Sequence, residues 1–197
     1  MRIMMVCTGN ICRSPVADVL LRNALPRERY VVESMGTHAL VDRPMTEQAA
    51  SRAIRLGAAS TDVENHRARQ MNEADLVATD LVLAMSREHR TRIVETAPTI
   101  VHRTFTLREF QRLSASLSDE ELESLGAHMR SRRKKLPLLL ERLRSQRSEV
   151  GAASGSHDDD IVDPYRRSDK TYDRSMALIA PAIDEVARAL RLVMNDR

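Results

Sequence analysis

The stretch MRIMMVCTGNICRSPVADVLLRNALP, residues 1–26, decides the fold. Its RIMMV run at residues 2–6 is apolar without alternation, as in a strand buried on both faces. A polar loop follows. Ser14-Pro15 then reads as a helix start, with Ser14 as N-cap and Pro15 at the first helical position, where its missing N–H costs nothing. Val16, Val19, Leu20 and Ala24 give that helix an apolar face, and Pro26 stops it. Strand, loop and helix in this order open a β-α-β unit.

Downstream, the same alternation repeats. YVVES at 30–34 is a second strand, LVLAM at 81–85 a third and residues 104–106 a short fourth. Thr46 caps a helix with Ala50, Ala53 and Ile54 inward and Gly57 at its end. Residues 72–78 form a short helix, and Ser86 caps another that runs to about Ala97. Met176, Ile179, Ile183, Val186, Leu190 and Val193 recur at helical spacing in a last helix. Pro181 within it removes a hydrogen bond, which predicts a kink or a late start. Strands separated by helices predict a parallel sheet with helices on both faces. One stretch stands apart: helices around 119–135 and 137–149, then GAASGSHDDD at 151–160, a flexible linker or loop. It is expected to be a helical insertion at about 114–160 in a single domain, 1–197, ahead of the last helix.

Composition narrows the function classes. The 197 residues suit one domain, and 42% hydrophobic residues can build its core. Two cysteines cannot make a disulfide framework, and the histidines, including His38, His89, His102, His128 and His157, show no zinc spacing. Neither a secretory leader nor an apolar run of membrane-spanning length is visible, so a cytoplasmic protein without membrane partners is expected. A net charge of +3 is too mild to imply nucleic acid, and 3% aromatics with no Trp argue against base stacking. The basic run HMRSRRKK at 128–135 reads as a solvated helix face whose field is blunted by Glu120, Glu121 and Glu123; a scaffold that grips nucleic acid or an acidic partner through it is the competing reading. Asp158, Asp159 and Asp160 read as solvated loop acids.

The chemistry sits where the first strand ends. Cys7-Thr8-Gly9-Asn10-Ile11-Cys12-Arg13-Ser14-Pro15 joins a strand to a helix N-terminus, the natural ligand position of an α/β sheet. Loop amides and the helix dipole both favour an anion there, and positive potential favours a thiolate at Cys7. Arg13 returns after five intervening residues, so the loop can curl round a tetrahedral oxyanion while the guanidinium fork takes two of its oxygens. Gly9 lets the backbone turn. The GK[ST] ending of a nucleotide-binding loop is missing. Taken singly, Cys7 is also compatible with a buried core cysteine, Ser14 with simple helix capping, and Asp163 with a turn aspartate.

Taken together, the loop CTGNICRSP, the distant Asp163-Pro164-Tyr165, SMGT at 34–37, HRARQM at 66–71 and DLVLAM at 80–85 resemble the low-molecular-weight protein tyrosine phosphatases. The resemblance implies a doubly wound, flavodoxin-like sheet of four parallel strands. It also implies a phosphomonoesterase needing neither metal nor cofactor, acting on phosphotyrosine in proteins and releasing inorganic phosphate. In that reading Cys7 attacks phosphorus, Arg13 holds the equatorial oxygens with the amides of Thr8, Gly9, Asn10, Ile11, Cys12 and Ser14, and Asp163 protonates the leaving group and then serves as base. Asn10, Ser14, Ser34 and His66 match a network that braces the loop. Leu40 and Tyr165 match rim positions that are commonly aromatic; only Tyr165 is aromatic here, and Arg166 beside it favours acidic flanking residues. The protein arginine phosphatases resemble the chain as well, but carry threonine where Ile11 stands. An arsenate reductase would need redox cysteines outside the loop, and a non-catalytic oxyanion-binding protein is the remaining alternative. In many members of the family the cysteine matching Cys12 forms a reversible disulfide with the nucleophile. Peroxide inactivation is therefore expected to be reversed by dithiothreitol, and Cys12→Ser to lose the recovery; equal recovery by that variant refutes the protective role.

Overall fold

Strand β1, Arg2–Cys7, is buried from Ile3 onward and lies in the middle of the sheet, as a strand without polar alternation requires. In this computed structural model, which describes residues 1–129, 131–150 and 158–196, it pairs in parallel with β2, Val31–Gly36, on one side. On the other it pairs with β3, Leu81–Ala84, which in turn pairs with β4, Thr104–Thr106. The order is β2-β1-β3-β4, all parallel, the doubly wound arrangement expected of the family. Sites in such sheets form beyond the carboxyl ends of the strands where the order reverses, here beside β1.

Both faces are covered. Met4, Val6, Met35, Val82 and Ala84 pack with Leu76, Ile93, Ala97 and Ile100. These come from α4 (Glu73–Val77), α5 (Arg87–Thr96), its C-cap Ala97 and the tight helical turn Pro98–Arg103. The opposite side chains, Ile3, Met5, Leu81, Leu83 and Phe105, join the larger core. That core is built with α1 (Arg13–Ala24), α2 (Glu47–Arg55), α3 (Ser60–Asn65), α6 (Leu107–Ser114), α7 (Asp119–Gly126), α8 (Arg132–Glu149) and α9 (Asp169–Met194). Among the described residues no helix is long and apolar enough to cross a membrane.

Several local expectations need correction. Helix α1 begins at Arg13 with Cys12 in the capping position, so Ser14 lies inside the first turn and its hydroxyl is spent on Cys7 instead. Ile54 is exposed; Ala49 and Ala53 carry the inward face of α2, whose N-cap Thr46 accepts from the Ala49 N–H. Pro181 neither delays nor ends α9, which starts at Asp169; the proline ring is on the solvent side while Ile179, Ala182 and Ile183 face the core. Pro137 likewise sits within α8, where burial of Leu136, Leu139, Leu140 and Leu143 outweighs one lost backbone bond. The helix expected over 119–135 stops at Gly126. A side chain there would collide with the Val193 carbonyl, so glycine is what allows α7 to lie against α9. Lys135 is buried beside Gly126, not on a solvated face. Residues 151–157 of the expected linker lie outside the described residues.

Helix α8 is thus no loose appendage. The four leucines of α8 belong to the larger core, and the helix packs on α6, α7 and α9. Leu139→Ala should cost about 2–5 kcal/mol and lower the urea midpoint of the whole chain in one cooperative transition. A separate early transition for the 114–160 stretch would overturn this.

Candidate active site

Five carbonyls define the loop between β1 and α1. Those of Cys7, Thr8, Gly9 and Ile11 accept from the N–H groups of Thr37, His38, Leu40 and Thr46 at 2.9–3.0 Å, and that of Asn10 accepts from the His66 ring Nε2 at 2.8 Å. In a trans peptide the carbonyl of one residue and the N–H of the next point in opposite directions. With the carbonyls of 7–11 held outward, the N–H groups of residues 8–12 turn inward. The Asn10 N–H does so visibly, reaching the Cys7 Sγ at 3.3 Å. A ring of donors opening on the N-terminus of a twelve-residue helix is an anion cradle.

Asn10 is the junction of this scaffold. It adopts a left-handed backbone, φ 56°, which asparagine tolerates better than most residues. Its side-chain oxygen accepts from the Arg69 N–H at 2.9 Å, and its amide donates to the Ser14 Oγ at 3.0 Å. The Ser14 Oγ in turn lies 2.9 Å from the Cys7 Sγ and 3.4 Å from the Met35 carbonyl. Asn10 donates to that hydroxyl, whose single proton is shared between the sulfur at 2.9 Å and the Met35 carbonyl at 3.4 Å. The structure therefore brings together Asn10, Ser14 and His66 of the expected bracing group. Ser34 is not one of their partners; its hydroxyl lies beside Asp18, whose carboxyl burial pushes up to about 6. Gly36, in SMGT, has a steric duty, because any side chain would run into the Thr8 carbonyl.

Arg13 is buried and bridges to the far end of the chain. Its Nη1 donates to the Ile161 carbonyl at 3.1 Å, and its Nη2 pairs with the Asp163 Oδ2 at 2.9 Å. Its Nε has no hydrogen-bond partner among the described residues, a buried donor suited to an incoming oxyanion. Asp163 is half-exposed, its other oxygen accepting from the Tyr165 N–H at 3.1 Å in a turn held by Pro164. The segment reaches the site because the Ile161 N–H bonds the Met85 carbonyl and Asp160 accepts from the Arg87 N–H at the start of α5. Asp159 is buried between Arg87 and Arg112. These two acids, expected to be solvated, are the anchors of the Asp163 turn. Leu40 and Tyr165 are exposed at the rim, with the Arg166 guanidinium stacked over the Tyr165 ring at 5.1 Å. Ile11 is buried.

The Cys12 sulfur lies 3.4 and 3.5 Å from the hydroxyls of Thr46 and Tyr172. Burial pushes its thiol up and the Tyr172 hydroxyl up to about 12. Both cysteines are free.

His89 was legible only as a dispersed histidine. It is buried on α5, with Nδ1 2.8 Å from the Ser86 Oγ and Nε2 2.8 Å from the Thr8 Oγ1. The spacing Ser86-x-x-His89 places a helix cap on the ring that it steadies, the one sequence signal that could have found it. Burial and then the nearby Arg13 charge pull His89 down to about 4, against its usual 6.5, so it is neutral near pH 7. The unfolded chain binds this proton first. The stabilising contribution is therefore complete above about pH 6.5 and is lost as pH falls toward 4, a loss of roughly 3 kcal/mol. His89→Gln should flatten that part of the stability-against-pH curve in denaturant titrations; an unchanged slope refutes it.

Comparison with known proteins agrees with this geometry. The sequence model of the low molecular weight phosphotyrosine protein phosphatase family matches residues 2–123, which include the whole cradle and end before Asp163. Over 102 residues the chain is 39% identical to the low molecular weight protein-tyrosine-phosphatase Etp of Escherichia coli K12, a stretch that is 52% of this chain and 66% of Etp, just under two thirds of its length. Among solved structures, Vibrio vulnificus Wzb in complex with benzylphosphonate is 25% identical with a TM-score of 0.64, covering 94% of this chain and 96% of that one. The YwlE arginine phosphatase from Geobacillus stearothermophilus is also 25% identical, with a TM-score of 0.68, covering 100% of this chain and 96% of that one. With more than half its length matched by the family's sequence model, the chain belongs to the low molecular weight phosphotyrosine protein phosphatase family.

Proposed function

We propose that the chain is a protein tyrosine phosphatase that works through a phosphocysteine intermediate. The observation that carries this reading is the convergence of the Cys7 sulfur, the inward amides of residues 8–12 and the Arg13–Asp163 pair on one cradle. Cys7 attacks phosphorus as thiolate; the sulfur–phosphorus bond forms as the phosphorus–aryl oxygen bond breaks, and Asp163 hands its proton to the departing phenolate. The amides and Arg13 hold the three equatorial oxygens as charge shifts among them. Water, deprotonated by Asp163, then attacks phosphorus, releasing inorganic phosphate and the Cys7 thiolate. Ser14 steadies that thiolate as it leaves, through the 2.9 Å contact with the sulfur.

The buried Ile11 and the Tyr165 ring at the rim favour an aromatic leaving group. The overall likeness to YwlE, an arginine phosphatase, supports a second reading with phosphoarginine as substrate. Two free cysteines, one of which must be reduced to act, fit a reducing compartment, so we place the activity in the cytoplasm.

Para-nitrophenyl phosphate should be hydrolysed with EDTA present. Cys7→Ser should abolish turnover, and Asp163→Asn should lower kcat by about 10²–10⁴-fold, the worth of a positioned acid–base group. A reduced, folded wild type without activity refutes the phosphatase reading. Phosphotyrosine peptides should be turned over faster than phosphoarginine peptides; the reverse order establishes the second reading.

A further inference from the structure

Thr8 and His89 form a hydrogen-bonded chain that the reaction just described does not use. It begins at Ser86, whose Oγ accepts the His89 backbone N–H at 3.3 Å as the cap of α5 and lies 2.8 Å from the Nδ1 of the same residue. A hydroxyl accepts through its lone pairs and has one proton to give. The cap bond occupies one of its two lone pairs; where the hydroxyl proton goes to Nδ1, Nε2 is the protonated nitrogen of the neutral ring. Nε2 then donates to the Thr8 Oγ1 at 2.8 Å. Thr8, the residue after Cys7, is exposed on the cleft, and its hydroxyl proton is left for a partner outside this chain of bonds. The ring feels the charges of both Arg13 and Asp163, so the chain ends beside the reacting groups.

Building on the phosphatase reading, we propose that His89 is a positioning residue that turns the Thr8 hydroxyl into the cleft, where it donates a hydrogen bond to a phosphoryl oxygen of the bound substrate. In the opposite orientation, with Thr8 donating to Nε2, the hydroxyl proton is spent inside the protein and substrate receives nothing from it. The two arrangements share the same distances and differ in what happens when the hydroxyl is removed.

The test is kcat and KM for para-nitrophenyl phosphate across Thr8→Val, Thr8→Ser, His89→Leu, His89→Gln and the double variants carrying Thr8→Val, with thermal midpoints alongside. Loss of one hydrogen bond to a charged group predicts a fall in kcat/KM of about tenfold to a hundredfold for Thr8→Val. Thr8→Ser should recover most of it. His89→Leu should lose a similar factor with Thr8 present and little more once Thr8→Val has been made, since both act through one bond. His89→Gln, which keeps a donor facing Thr8, should recover activity with Thr8 present and none in the Thr8→Val background. Unchanged kcat/KM in Thr8→Val overturns the proposal, and that variant, at an exposed position, tests it even where His89→Leu fails to fold. Equal losses for His89→Leu in both backgrounds overturn it too, as they mark a structural role alone. An inactive wild type removes the phosphatase reading and this proposal with it, whereas an active wild type with a silent Thr8→Val removes this proposal only.

Discussion

The direction of five peptide carbonyls governs everything at this site. Held outward by the segment at 37–46 and by His66, they oblige the following amides to face one point, and Cys7 lies on that point. No side chain of the loop supplies this field by itself. A cysteine at the end of a strand is unremarkable chemistry until the backbone round it is fixed, and the fixing comes from residues far along the chain. Asn10 joins the two halves of the arrangement, holding Arg69 with one side-chain atom and Ser14 with another while its own backbone turns left-handed. The sheet matters here because it sets β1 beside β2, so that Met35 and Gly36 lie against the loop they support.

Arg13 extends the same logic to the last part of the chain. A buried guanidinium requires partners for its donors, and two of them are met by the Ile161 carbonyl and the Asp163 carboxylate. Asp159 and Asp160 tie that segment to Arg87, Arg112 and the start of α5. Charge balance and position are thereby obtained together, since the acids that neutralise these arginines also hold Asp163 over the cradle.

The alternation of apolar runs and capped helices made the sheet and most helices legible, because burial on both faces leaves a pattern that polar alternation cannot imitate. The bounds of β4 were readable to the residue. Ser14 was misread as a cap because local rules weigh a serine before proline without knowing that a sulfur lies within reach. Ile54 and Pro181 failed for a related reason: which side of a helix is wet depends on neighbours that one segment does not name. At the site, residues joined by adjacency or by a family pattern were found. His89 was not, since its partner Thr8 lies 81 residues away and nothing in composition links them. Asp159 was missed likewise, because a run of three acids looks the same in water as between two arginines.

Gly36 and the carbonyl anchors bear on how far this chemistry is portable. The nine residues from Cys7 to Pro15 hold the reacting groups, but their shape is written in Met35, Gly36, Thr46, His66 and Arg69. Grafted onto another strand–helix junction, the nonapeptide would bring the sulfur and the guanidinium without the backbone directions that make them useful. The smallest transferable module is the pair of strands with the connecting chain as far as residue 71, and even that leaves its acid behind.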